Sequence, residues 1–111
     1  YRLIFLRKKQ NSKNLCYRET MKKPIVCQIK KKKYYLHKIT WIDITGDEGH
    51  ADIDQFNKMN YTTLITYGFL YSKDNRIVRT FSTYDIDDEI FSGRNVFPIG
   101  CIKKIEKVLI S

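Results

Sequence analysis

Apolar and polar positions alternate over several short runs, and no stretch carries a helix long enough for a βαβ crossover. "PIVCQI" (24–29) is a short β-favouring run. "YYLHKITWIDIT" (34–45) is a stronger one, rich in Tyr, Ile, Thr and Trp. Within it Ile39 and Trp41 point one way, and Thr40, Ile42 and Ile44 the other. Both faces therefore carry apolar groups, and the strand is expected to be covered on both sides.

"GDEGHADID" (46–54) reads as a loop, because Gly46 and Gly49 punctuate a run of turn-forming acids. "ADIDQFNKMN" suits one or two helical turns with Ile53 and Phe56 on one face. "TTLITYGFLYSKDNRIVRTFSTYD" (62–85) is the clearest element, two β-rich runs flanking the polar turn "SKDN". Gly68 inside the first run marks a bulge or bend. In the second run neither Ile77, Arg79, Phe81 and Thr83 nor the residues between them form a cleanly apolar set, so its core face stays unassigned.

"DIDDEIFSGRN" (85–95) is an acidic excursion ending in a turn. Val96, Phe97 and Ile99 form a last strand, with Pro98 at an edge or end. Ile102, Ile105 and Val108 recur every three residues, which predicts a short 3₁₀ or α turn packed as a lid. The order of elements predicts a mainly β fold: a small barrel or strongly bent antiparallel sheet with a short helical turn and a basic N-terminal extension. The extension is expected to be weakly ordered over residues 1–33, and the domain to occupy 34–111.

Charge sharpens that boundary. Residues 1–38 hold thirteen Lys and Arg against one acid, Glu19, a net +12; residues 39–111 hold eight against eleven, a net −3. A hydrophobic share of 42% argues for a folded core rather than disorder. Cys16, Cys27 and Cys101 are odd in number and form no C-x-x-C pair, so reduced thiols in a cytosolic protein are expected rather than a disulfide framework. No apolar run is long enough to span a bilayer as a helix. The sequence begins at Tyr1; a fragment, a processed product and a reading frame extended upstream of Met21 all fit.

Residues 39–108 resemble a group of small phage and prophage proteins through "TWIDITGDEGH" (40–50), "ITYGFLYSKDNRIV" (65–78) and "VFPIGCIKKIEKV" (96–108). That group's pattern has an early Trp-x-Asp, here Trp41 and Asp43, a Gly-containing strand before a hairpin, and a closing Pro-x-Gly-x-Ile. His50 stands where the group tends to have Trp, and Ile99 replaces a lysine of the closing motif. The resemblance implies an SH3-like small barrel in the cytoplasm of a bacterial host, meeting a host or phage protein. It implies no activity.

Three constellations are candidates for chemistry. Lys30, Lys31, Lys32 and Lys33 could neutralise phosphates, and Tyr34 and Tyr35 could stack on bases. Against that, and preferred on sequence, the lysines read as a solvated turn and the tyrosines as part of the first strand. His50, Asp52 and Asp54 would share one face of an extended strand and could ligate a transition metal there, whereas Gly and Asp content favours a loop with Asp52 or Asp54 capping a helix. Asp85, Asp87, Asp88 and Glu89 read as solvated acids that could also meet the basic arm. No nucleophile motif, Walker sequence or G-x-G-x-x-G occurs, so a binding protein without a cofactor is expected rather than an enzyme.

Overall fold

The computed structural model describes residues 22–111, so most of the leader expected over 1–33 lies outside the described residues. The elements run β1 (Lys23–Pro24), β2 (Val26–Ile29), β3 (Lys32–Asp43), α1 (Ile53–Lys58), β4 (Thr62–Lys73), β5 (Ile77–Phe81), β6 (Thr83–Asp85), β7 (Ile90–Ser92), β8 (Asn95–Pro98), a 3₁₀ turn (Ile99–Cys101), β9 (Ile102–Lys107) and β10 (Leu109–Ile110). The fold is mainly β, and every strand pairing is antiparallel. The boundary expected at 33/34 falls inside β3, because Lys32 and Lys33 pair with Ile29 and Gln28.

The main sheet has the order β9-β3-β4-β5-β8. It is strongly bent but not closed into a barrel, since β8 and β9 end the order without pairing. β2 lies end to end with β9 along one edge of β3. Leu36 is the joint: its N–H donates to the Ile25 carbonyl and its own carbonyl accepts from Val108 N–H, both at 2.9 Å. The bend comes from β4, which pairs with β3 from Thr62 to Phe69 and with β5 from Phe69 to Lys73.

The core is formed by Ile39, Val78 and Phe97, with Trp41, Leu70, Ile99, Ile102 and Ile105 packed around them. Fully burying side chains of this size stabilises by about 1.5–3 kcal/mol each. The Trp41 ring meets Phe97 edge-on at 5.5 Å, and its Nε1 donates to Thr66 Oγ1 at 2.9 Å. This settles the face of β5 that the sequence left open: Val78 and Thr80 point into the core.

Two expectations are corrected. Ile102–Val108 is not a helical lid; most of it is strand β9. Trp41 pairs with Ile102 and Thr40 with Lys104, so Lys103 is an extra residue at a β-bulge. The bulge puts Ile102 and Ile105 on one face at a spacing of three, which mimics a helical period. The 3₁₀ turn lies just upstream. Of the bulge or bend expected at Gly68, the bulge is not there, since Gly68 pairs regularly with His37, while the bend of β4 comes beside it at Phe69. The register shift comes between Leu70 and Ser72 and makes Tyr71 the extra residue. Gly68 is needed for space: a Cβ there would come within 3.0 Å of Thr80 Cβ and Oγ1.

The "SKDN" turn is built on Asp74. Its carboxylate accepts from Ile77 N–H at 2.9 Å and Arg76 N–H at 2.7 Å, while its N–H donates to the Ile77 carbonyl. These two bonds, Ile77's first, hold its carboxyl below the usual range. A carboxyl depressed in the folded state stabilises above its unfolded value, and that stabilisation is lost as pH falls through the folded one. Asp74→Ala is therefore expected to lower urea stability at neutral pH, with the gap from the parent closing as pH falls below about 4. A gap independent of pH would show that the carboxylate plays no such part. A second expectation concerns Thr80, which is 2% exposed and whose Oγ1 has no hydrogen-bond partner. Thr80→Val should stabilise by about 1 kcal/mol in urea denaturation, by removing an unmet buried hydroxyl.

Candidate functional site

β5 is covered on both faces. Opposite the core, Phe81 is buried at the centre of a second, aromatic cluster. Phe91 packs edge-on against it at 4.8 Å, Tyr34 at 5.3 Å and Tyr71 at 6.4 Å, while Phe69 stacks at 5.6 Å. The bulge at Tyr71 matters here. It lets Tyr71 reach Phe81 while the next residue, Ser72, accepts from Arg79 on that same face.

Phe91 belongs to the β6–β7 hairpin, so the segment read as an acidic excursion is a hairpin folded back onto the sheet. Asp85 organises its loop, accepting from Asp87 and Asp88 N–H through Oδ1 at 3.0 and 3.1 Å. Gly93 lets the chain leave β7 for β8. Its φ is +61°, a conformation that strains other residues, and a Cβ there would stand 1.9 Å from Ser82 Oγ and force that hydroxyl to move.

The two hairpin tips meet. Lys30 Nζ lies 3.0 Å from Glu89 Oε1, joining the lysine turn to the acidic one. Lys30 and Glu89 are also the only non-glycine residues with positive φ among the described residues, at 56° and 57°. Backbone strain at both ends of one ion pair marks this junction as a place where the sequence is not chosen for turn geometry alone. The hydrogen bond to Glu89, then its charge, raises the Lys30 ammonium above its ordinary value.

Between the hairpins and the sheet runs a cleft with two lobes. One, of about 510 Å³, lies beside Lys30, Lys31 and Lys32. The other, of about 590 Å³, lies beside Arg79 and Arg94. Tyr71, Glu89 and Phe91 line both.

This arrangement sorts the residues expected to grip nucleic acid. Lys30 and Lys31 form the two-residue turn, and Lys32 and Lys33 open β3. Tyr34 does not offer a free ring: it is 8% exposed, stacks on Tyr71 at 5.8 Å and lies 5.5 Å from Lys32 Nζ. Tyr35 is half-buried with Lys107 Nζ 4.4 Å from its ring. Lys31 and Lys33 remain exposed.

The structure does not bring His50, Asp52 and Asp54 together on a strand. His50 is in a loop, and Asp52 caps α1 in a capping box: its Oδ1 accepts from Gln55 N–H at 2.8 Å while Gln55 Oε1 accepts from Asp52 N–H at 3.0 Å. Asp54 lies in the first helical turn. Among the described residues no three His, Cys, Asp or Glu side chains are grouped to hold a metal ion. Cys27 and Cys101 are free thiols.

Sequence reasoning missed Phe91, Arg79 and Arg94. The available signal was that Phe69, Tyr71, Phe81, Tyr84 and Phe91 are aromatic residues outside the core alternation. No family model matches the chain, and neither a curated protein nor a solved structure does so.

Phe91→Ala should cost roughly 2–4 kcal/mol in urea denaturation, less than a fully buried phenylalanine at the upper end, and should weaken the near-UV tyrosine signal. An unchanged midpoint would mean that the hairpin is held by something other than this cluster.

Proposed function

We propose that the protein is a non-enzymatic protein-interaction module of SH3-like type, an accessory protein of a phage or prophage that works in the cytoplasm of a bacterial host. The strand order supports the SH3-like reading: β3, β4, β5 and β8 follow one another across the main sheet, a 3₁₀ turn follows β8, and β9 returns to pair with β3. The phage reading rests on the sequence resemblance. Among the described residues no helix is long and apolar enough to cross a membrane.

One observation carries the interaction reading. α1 is a capped helix that buries none of its residues, with Ile53 78% and Phe56 69% exposed. Ile44 and Tyr61 in the flanking loop segments are exposed as well, as are Ile65 and Tyr67 on the adjoining part of β4. A helix of six residues is too short to be stable by propensity and ordinarily earns its place by packing an apolar face. Here that face is left to solvent, as in surfaces that meet a partner.

The alternative, nucleic-acid binding through the basic arm around Lys30–Lys33, is supported by exposed Lys31 and Lys33. Glu89 and the acidic loop beside it work against phosphate binding on that side.

The test places a photo-crosslinking residue at position 56 of the full chain, expressed in a bacterial host. A discrete protein adduct is expected, resistant to nuclease and lost on Ile53→Ser with unchanged thermal melting. No adduct, a nuclease-sensitive one, or one made of two copies of this chain would overturn the reading.

A further inference from the structure

The arginine lobe of the cleft is built differently from the lysine lobe. Arg79 stands on the outer face of β5, between half-buried Ile77 and buried Phe81, and among the described residues its Nη1 donates to Ser72 Oγ alone, at 3.2 Å. Arg94 lies in the link from β7 to β8. Among the described residues the ion pairs are Lys30–Glu89 and Lys104–Glu106, so neither guanidinium has a carboxylate within 4.0 Å. Glu89 lines the same lobe but is held by Lys30. The lobe therefore carries two guanidinium groups outside any close ion pair, of which Arg79 also feels the charge of Asp74, against walls of Phe81, Phe91, Ile90 and Val96. Its volume of about 590 Å³ is that of a ligand site rather than a packing defect.

The wall beside Arg94 is β8, whose one partner strand among the described residues is β5. Its other edge offers unpaired backbone N–H and C=O groups to an added strand. Val96, 59% exposed, stands on the cleft side of that strand opposite Arg79.

We propose that this lobe binds a short acidic peptide segment in which an apolar side chain neighbours a carboxylate. The carboxylate pairs with Arg79 and Arg94, whose planar forks match it in two-point geometry. The apolar side chain lies against Phe91 and Val96, and the peptide backbone adds to the edge of β8. A singly charged carboxylate suits the site better than a phosphate dianion, because Glu89 and the acidic loop stand at the rim. The proposal rests on the protein-binding reading but uses a surface separate from α1, so crosslinking at position 56 and binding here succeed or fail independently.

The test is an amide-proton NMR titration of the full chain. The probe is an acetylated, amidated pentapeptide alternating leucine and glutamate. Its glutamine counterpart is the charge control, and hexanoate represents a free small acid. Saturable shifts centred on Arg79, Arg94 and Val96 are expected with the glutamate peptide. The glutamine peptide should bind at least about tenfold weaker, as should the glutamate peptide to the Arg79→Gln, Arg94→Gln double variant, as loss of a charge-assisted pair implies. Hexanoate should shift fewer residues and leave the β8 amides unmoved. Absence of saturable shifts at millimolar peptide, shifts centred on Lys31 and Lys33, or equal binding of both peptides would each overturn the proposal. Equal effects of hexanoate and peptide on β8 would overturn its peptide part. If the double variant fails to fold, Val96→Glu supplies the same test, since it places a repelling carboxylate at an exposed wall position.

Discussion

Strand β5 buries a side chain on each of its faces, and the rest of the fold depends on it. Val78 on one side and Phe81 on the other are each almost fully removed from water, three residues apart on the same strand. An odd spacing on a strand puts them on opposite faces. One face closes the core with Ile39 and Phe97; the other nucleates the aromatic cluster. A domain of this size has little surface to bury, so using both faces of its middle strands compensates for the lack of a second layer of helices. It also explains why a hairpin as short as β6–β7 is ordered: Phe91 anchors it.

The same constraint brings one charge of the basic run against the acidic loop. The lysine turn and the acidic loop are 59 residues apart in sequence, yet their hairpins flank one aromatic cluster, and Lys30 meets Glu89 across it. Part of the basic run is thereby spent internally. The exposed pair itself contributes little to stability, since solvent screens it. Its effect is to decide which charges remain available in the cleft: Glu89 is occupied, while among the described residues Arg79 and Arg94 have no carboxylate within 4.0 Å. The surface around α1 has a different character, apolar and distant in sequence from either hairpin tip, and the two surfaces are read as separate docking sites for that reason.

Local rules reached far into this sequence. Enrichment in β-branched and aromatic residues marked β2, β3, β4, β5 and β8, the polar "SKDN" run marked the central turn, and Asp52 or Asp54 was read as the cap of α1, of which the structure selects Asp52. Those features are written in neighbouring residues, where side-chain period and turn chemistry act directly. What the sequence could not show were two bulges. Each inserts one residue into a strand, which shifts the apolar period. Ile102 and Ile105 then look helical, and Tyr71 looks as if it belongs to no face. A bulge is defined by the partner strand, so it has no local signature.

The candidate site was legible only as separate pieces. The sequence by itself determined a mainly β chain with a lysine-rich turn and an acidic loop, because composition and period are local properties. Tertiary structure alone decided that Tyr34 is packed rather than free, that His50, Asp52 and Asp54 stay apart, and that Arg79 and Arg94 share a cleft with Phe91. Those outcomes turn on which hairpin folds back over which face of β5, a choice made by contacts between residues dozens of positions apart.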